Sequence, residues 1–449
     1  MHTKRKIFCI LLLCTIVCSV DAQSKTEKIS ALLLAYNKLN AFNGTALISH
    51  QGAVIFNEGF GFKNIANLER NDAHTIYQIG SITKQFTAAV ILKLEEKHQL
   101  QLTDKLSKYF PDFPNGNQIN IFNLLTHSSG IYNYTNDANF MNTAAVKPAT
   151  RQQIISLFKD KALEFAPGTN YAYSNSGYML LGYIIEEVTK KNYYDVVTDM
   201  IFKPLKMTHS GFDFAQLQDE NKATGYFLIN DKTGTASGLV DSSVSYAAGA
   251  IYTTAADMLL WHNALIQNKI ITRNSLEKAF TPYKNKYGFG WHIDTIYNKR
   301  IVTHGGGIFG FNANFARIEA DNTCIILLNN VGNPKLEEIT NSILAILNDQ
   351  PYTLPEGKTE ITLPEELLKK YIGTYEIVPQ FQIVITVENG KLIAQATGQQ
   401  PFELFAQKEN YFFLKAVEAE VEFIKDVNGN IEKLILYQGG RQTPGKKLN

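Results

Sequence analysis

The stretch from Gly80 to Leu94 constrains this chain more than any other. Gly80-Ser81-Ile82-Thr83-Lys84 runs directly into Phe86, Ala88, Ala89, Val90, Ile91, Leu92 and Leu94. A helix that is apolar on most of its sides is expected to be buried, here from near its start. Ser81 and Lys84 stand three residues apart, so on a helix they share a face, with Cβ atoms about 5–6 Å apart. A serine hydroxyl is a weak nucleophile until a base takes its proton. A lysine in apolar surroundings can be that base, because loss of hydration lowers its pKa and favours the neutral amine.

The Ser-x-x-Lys spacing is weak evidence by itself, since Ser156–Lys159 and Ser275–Lys278 share it. Context separates the three. Arg151 to Lys161 and Arg273 to Phe280 read as amphipathic surface helices, on which the lysine is solvated and cationic. Only the Ser81 stretch places its lysine in an apolar setting.

Basic residues at Lys4, Arg5 and Lys6 precede an apolar run from Ile7 to Val20, with small residues around Ala22. This pattern predicts a secretory signal peptide over 1–22 and a secreted or periplasmic protein. Cys9, Cys14 and Cys18 would leave with that leader. Cys324 would then be the lone cysteine, a buried strand thiol with no disulfide partner. With 43 Lys+Arg against 42 Asp+Glu, the formal net charge is +1. A near-neutral chain without basic runs is a poor candidate for nucleic-acid binding. The run from 7 to 20 is too short to span a bilayer comfortably, so no transmembrane helix is expected after leader removal.

The organisation predicts an α+β fold. Lys25 to Asn40 has helical spacing, and Gly44–His50 and Ala53–Glu58 read as a strand pair. Residues from about Thr103 to Phe202 look mostly helical. Strands return at Tyr287–His292, Arg300–Thr303, Phe311–Ile318 and Thr323–Asn329, and Lys335–Leu347 is a closing helix. This describes an antiparallel sheet flanked by helices with an all-α lobe, over residues 23–348. Residues 349–362 read as a linker. After a short helix near Pro364–Lys370, residues 363–449 carry two hairpin signals, at Asn389-Gly390 and Asn428-Gly429, and predict a small β-barrel or meander.

Two further pieces could converge on Ser81. Pro167 and Gly168 bring the chain to a turn, which places Tyr173, Ser174 and Asn175 on a loop before a buried helix. A phenol beside an ammonium is favoured as the phenolate, and Tyr173 could then pass protons between Ser81, Lys84 and a leaving group. Tyr171 is a rival on the same loop. Thr303-His304-Gly305-Gly306-Gly307 places glycines on an apparent strand, where backbone can approach a ligand closely. An amide there, with that of Ser81, could hold an oxyanion. The alternative for the glycines is a plain hairpin turn. No Gly-x-Ser-x-Gly occurs, which disfavours a nucleophile-elbow hydrolase. The scattered histidines show no metal-ligand spacing, so neither a metal nor a cofactor is expected. His127 is expected to hold a loop by hydrogen bonds, and His262 and His292 to be structural.

Taken in order, Gly80–Ala88, Leu124–Ile131, Pro167–Glu187, Ile201–Met207 and His304–Gly307 resemble the class C β-lactamase-like serine hydrolases. That family includes D-alanyl-D-alanine carboxypeptidases, D-aminopeptidases and esterases. The resemblance covers about Lys25 to Asn348, and the tail resembles a lipocalin-like β domain. It implies Ser81 as nucleophile, Lys84 as base and Tyr173 as proton shuttle. It implies an oxyanion hole from the amides of Ser81 and Gly307, with Asn175 bonded to substrate or to Lys84. His304, Gly305 and Gly306 stand where a β-lactamase carries Lys-Thr-Gly and would line the substrate. A histidine there captures a substrate carboxylate less well than a fixed lysine cation. The expectation is therefore hydrolysis of a D-amino-acid peptide or amide, an ester or a β-lactam through a Ser81 acyl-enzyme, with efficient β-lactam turnover least favoured. The alternative is a penicillin- or cell-wall-binding module with little turnover.

Overall fold

The computed structural model describes residues 25–229, 233–332, 335–415, 419–438 and 441–448 of the 449-residue chain. The expected leader over 1–22, with its three cysteines, lies outside the described residues. The chain divides into two compact units between Pro355 and Glu356.

The first unit is built on a six-stranded antiparallel sheet. Its strands are β1 (Gly44–His50), β2 (Ala53–Phe60), β3 (His292–Ile296), β4 (Lys299–Ile308), β5 (Phe311–Ile318) and β6 (Thr323–Asn329), in the spatial order β2-β1-β6-β5-β4-β3. Pairing of β1 with β6 closes residues separated by most of the unit's length onto one another. Alternation along β1 and β6 assigns their side chains to two faces. Ala46, Ile48, Ile325 and Leu327 pack under the 25–38 helix and the Leu336–Leu347 helix, through Ile29, Leu32, Ile339 and Ile343. Leu47, Ile326 and Leu328 face the other way, into a core that contains Phe86, Val90 and the helical lobe.

The Thr83–Glu96 helix sits in that second core, with every residue from Thr83 to Leu92 buried. Phe86 stacks on Trp261, with ring centroids 4.6 Å apart. The lobe between β2 and β3 contains the helices Ile121–Leu125, Ala138–Thr143, Arg151–Ser156, Asn175–Thr189 and Tyr193–Val197. Tyr287–His292 is not the strand expected from its alternation. Gly290, at φ +79°, turns the chain, and β3 begins only at His292. A hairpin of Tyr226–Ile229 with Gly234–Ala236 was not foreseen from the sequence. None of the described helices is long and apolar enough to cross a membrane.

The second unit is a closed barrel of eight strands, from Gly373–Val378 to Arg441–Lys447. Asn389 and Gly390 both have positive φ, as a two-residue hairpin turn with the right-handed strand twist requires. At Asn428-Gly429 only the glycine does. The turn there is wider, with the Asp426 carboxylate accepting from the amides of Asn428 and Asn430 at 2.8 Å each. The barrel interior is filled by side chains, including Tyr371 stacked on Phe423 at 4.5 Å.

One contact between elements fixes the geometry of the first unit's inner face. The short 3-10 turn Gly80–Ile82, just before the buried helix, lies against β4. A Cβ on Gly306 would fall 1.9 Å from the Ile79 carbonyl oxygen, and one on Gly80 would fall 2.8 Å from the Gly307 amide nitrogen. Both positions therefore exclude any side chain. Gly305 has its nearest neighbour at 3.9 Å. Gly306→Ala should destabilise the protein by about 1–3 kcal/mol, the usual cost of overpacking, whereas Gly305→Ala should leave its thermal midpoint nearly unchanged. Thermal unfolding of the two variants side by side checks this.

Candidate active site

Ser81 lies in the 3-10 turn, and Lys84 is in the first turn of the helix that follows. Their side chains meet, with Lys84 Nζ 3.0 Å from Ser81 Oγ. Lys84 is completely buried. Its Nζ has two more neighbours, Asn175 Oδ1 at 2.7 Å and the Ala248 carbonyl oxygen at 2.8 Å. Neither atom can donate. The Asn175 amide is held in that orientation because its Nδ2 donates to Thr135 Oγ1 at 3.0 Å. No carboxylate contributes to the lysine's environment, and burial alone holds its pKa well below the usual value. A neutral amine has two hydrogens and one lone pair. When the amine is neutral its two hydrogens go to Asn175 and Ala248, and its lone pair faces the Ser81 hydroxyl.

The Ala248 carbonyl is the partner that sequence reasoning missed. It belongs to the Ser242–Gly249 helix, which is broken at Tyr246 by a backbone at φ 33°, ψ −128°. Positive φ is uncommon outside glycine and is strained for a bulky residue. Two threonines of the lysine helix dock this segment. Thr87 donates to the Ala247 carbonyl at 2.7 Å, and Thr83 accepts from the Ile251 amide at 3.1 Å. No motif in Ser242–Gly249 announces this. The threonines at positions −1 and +3 from Lys84, in an otherwise apolar helix, were the available signal.

Tyr173 lies partly buried beside the pair. Lys84 Nζ is 4.9 Å from its ring centroid, and Ser81 lies near enough to its hydroxyl to favour the phenolate. The expected phenolate does not fit this environment. Burial raises the Tyr173 pKa, outweighing the interaction with Ser81 that lowers it. An amine kept neutral offers the phenolate no counter-charge, so the phenol keeps its proton. Tyr171 is partly buried, with its pKa also raised by burial.

His127 brackets Tyr173. Its carbonyl accepts from the Ala172 amide at 3.0 Å, and its Nδ1 accepts from the Ser174 amide at 3.1 Å. Its ring lies 4.2 Å from that of Tyr173. Because Nδ1 accepts, the neutral ring carries its proton on Nε2. Burial, and then Lys84, push its pKa well down and keep it in that form.

Among the predicted site residues, the structure brings Ser81, Lys84, Tyr173, Asn175 and Gly307 together. A cavity of about 390 Å³ opens over Ser81, and Asn175 and Gly307 line it. His304, Gly305 and Gly306 do not line it. His304 is 3% exposed, its Nδ1 facing the Gly305 carbonyl at 2.6 Å and its Nε2 the Tyr287 hydroxyl at 2.9 Å. Burial, with Lys84 nearby, drops its pKa to about 3, so it is neutral and not a partial cation. Gly305 and Gly306 line a second cavity of about 700 Å³, which lies beside Leu336 and Thr340 of the closing helix and shares Gly307 and Asn312 with the first. The two rival Ser-x-x-Lys pairs are apart from all this. Ser156 is exposed and bonded to the Gln153 carbonyl, and Lys278 pairs with Glu95. Ser275 is buried rather than on the surface, bonded within its helix cap to Thr272. His262 is buried between Arg317 and Asn322, and Cys324 is a buried free thiol.

The family model described as Beta-lactamase matches residues 35–348, and one described as a domain of unknown function (DUF3471) matches residues 357–447. A putative penicillin-binding protein, PbpX, of Bacillus subtilis is 34% identical over 332 residues, covering 74% of this chain and 81% of its own. A teichoic acid D-alanine hydrolase of Staphylococcus aureus is 27% identical, covering 71% and 78%. The octameric penicillin-binding protein homologue from Pyrococcus abyssi has a similar fold, with TM-score 0.66 and 24% identity, covering 94% of this chain and 99% of that one.

The bracket around Tyr173 yields a test. His127→Leu removes the Nδ1 acceptor and should slow labelling of Ser81 by a serine-reactive probe by about tenfold, the scale of one lost buried hydrogen bond. His127→Asn keeps an acceptor near the same place and tolerates the positive φ of 53° found here. It should recover most of the rate. Equal losses in the two variants, measured by stopped labelling assays, would contradict the assigned role.

Proposed function

We propose that this chain, which belongs to the beta-lactamase family, hydrolyses a D-amino-acid amide or peptide, or an ester, through a covalent ester on Ser81. The observation that carries this reading is the set of contacts at Lys84 Nζ. Two acceptors that cannot donate, and no carboxylate, support a neutral amine whose lone pair meets the Ser81 proton. As Ser81 Oγ attacks the substrate carbonyl, Lys84 takes that proton. The amides of Ser81 and Gly307 are suited to hold the developing oxyanion, since both residues border the cavity. The protonated Tyr173 gives its proton to the leaving group and regains one from the Lys84 ammonium. The first product leaves, and water then attacks the Ser81 ester by the reverse relay. The neutral, buried His304 leaves a β-lactam carboxylate without the cation it would meet in a β-lactamase, so β-lactams rank below esters and amides. That one relative is named a D-alanine hydrolase supports an acyl group of the D-amino-acid type.

Ser81→Ala should abolish a covalent adduct detectable by intact mass while leaving the thermal midpoint nearly unchanged. Lys84→Ala should lower kcat by about a thousandfold or more, because nucleophile and base act as one unit. Full hydrolysis by Ser81→Ala would end this reading. The pH profile adds a second check. A base must be deprotonated to act, so kcat/KM should rise with pH to a plateau whose midpoint lies well below the ordinary lysine value. The raised pKa of Tyr173 means that no alkaline fall from the phenol should appear below about pH 10. A midpoint at the ordinary lysine value would count against Lys84 as base.

A further inference from the structure

Among the described residues, the wall of the cavity above Ser81 holds no carboxylate, amine, guanidinium or imidazole. Met141, Val240, Val244, Ile308 and Phe309 supply its apolar part. The polar side chains on it belong to serine, threonine, tyrosine and asparagine, and among the described residues no Asp, Glu, Lys, Arg or His lines it. The acids next to it in sequence are engaged in local caps. Asp241 accepts from the amide and hydroxyl of Ser243, and Asp137 accepts from the Phe140 amide. Lys84 lies beneath Ser81 with its nitrogen surrounded by three partners. The apolar surface continues outward. Phe227 is 54% exposed, and its ring lies 6.1 Å from that of Phe309.

Resting on the Ser81 acyl-enzyme reading, we infer that the cavity accepts neutral esters and amides with an apolar acyl group, and discriminates against substrates that bring a carboxylate or an ammonium into it. A charge entering the cavity loses hydration and meets no opposite charge, and that loss is not recovered by hydrogen bonds to neutral side chains. An apolar acyl chain instead exchanges water for Val240, Val244 and Phe309, and a longer one reaches toward Phe227. This narrows the reaction. A peptide ending in a free carboxylate one residue from the scissile bond is a poor substrate. Within the D-amino-acid class, an amide with a blocked amine is preferred to one whose amine is charged. An amide or ester capped at both ends is a good one.

The test is a length-matched set of nitrophenyl esters: hexanoate, the adipate monoester and 6-aminohexanoate. Each rate is divided by that of its hydroxide-catalysed hydrolysis, and each adduct is read by intact mass on the wild-type protein. The hexanoate should exceed both charged esters in kcat/KM by at least about tenfold, the scale of one uncompensated buried group. Phe309→Lys, at the rim, should raise the adipate-to-hexanoate ratio by about fivefold or more through a nearby opposite charge. Equal rates for all three esters, or an unchanged ratio in Phe309→Lys, with Ser81 still acylated, would overturn the substrate inference alone. Absence of a Ser81 ester with every member of the set would overturn the acyl-enzyme reading beneath it.

Discussion

Everything at this site depends on keeping one amine uncharged. An ammonium buried without a counter-ion is costly, and the protein supplies Lys84 with none. It supplies instead two oxygens that can only accept, so the neutral form is fully bonded with its lone pair turned toward Ser81. The rest of the first unit can be read as the apparatus that holds those oxygens still. Thr83 and Thr87 dock the segment that carries Ala248, and Thr135 sets the orientation of Asn175. The buried helix that carries Lys84 is itself wedged between the sheet and the helical lobe.

The same desolvation organises the neighbours. It keeps Tyr173 protonated, His127 neutral with an accepting Nδ1, and His304 neutral against Tyr287. A cluster of aromatic rings around these groups excludes water, with the His127 ring tilted between those of Tyr173 and Tyr287, centroids 4.2 and 4.6 Å away. In a wetter site the phenol and imidazoles would titrate nearer their ordinary values, and proton positions would vary with pH. Here the titratable neighbours are fixed in one protonation state over a wide range, which leaves Lys84 and Ser81 as the pair whose proton moves.

Much of this was legible in the sequence. The apolar stretch after Ser81 specified a buried helix, and the continuous apolar run in Thr323–Asn329 and the alternation in Phe311–Ile318 specified central strands. Both follow from periodicity, which burial on one or two faces enforces. Asn389-Gly390 specified a hairpin because few other residue pairs adopt its backbone. What was not legible depended on contacts between distant segments. Ala248 acts through a carbonyl, which any residue carries. Gly305-Gly306-Gly307 suggested close approach to a ligand, but the clearance around Gly306 shows that the close partner is the chain's own backbone at Ile79. His304 sits where its motif suggests a substrate contact, yet strand alternation turns its ring into the aromatic cluster. The phenolate expected at Tyr173 assumed a charged lysine, and only the three-dimensional environment decides that charge.

The most direct test is to titrate Lys84 itself. The chain would be labelled with 15N at lysine Nζ, and its resonance assigned by loss in Lys84→Ala. In the resting wild-type protein the signal should have the shift of a neutral amine at pH 8 and should move to that of an ammonium only on acidification. A Lys84 signal that stays in the ammonium form up to the ordinary lysine range would contradict the account at its root.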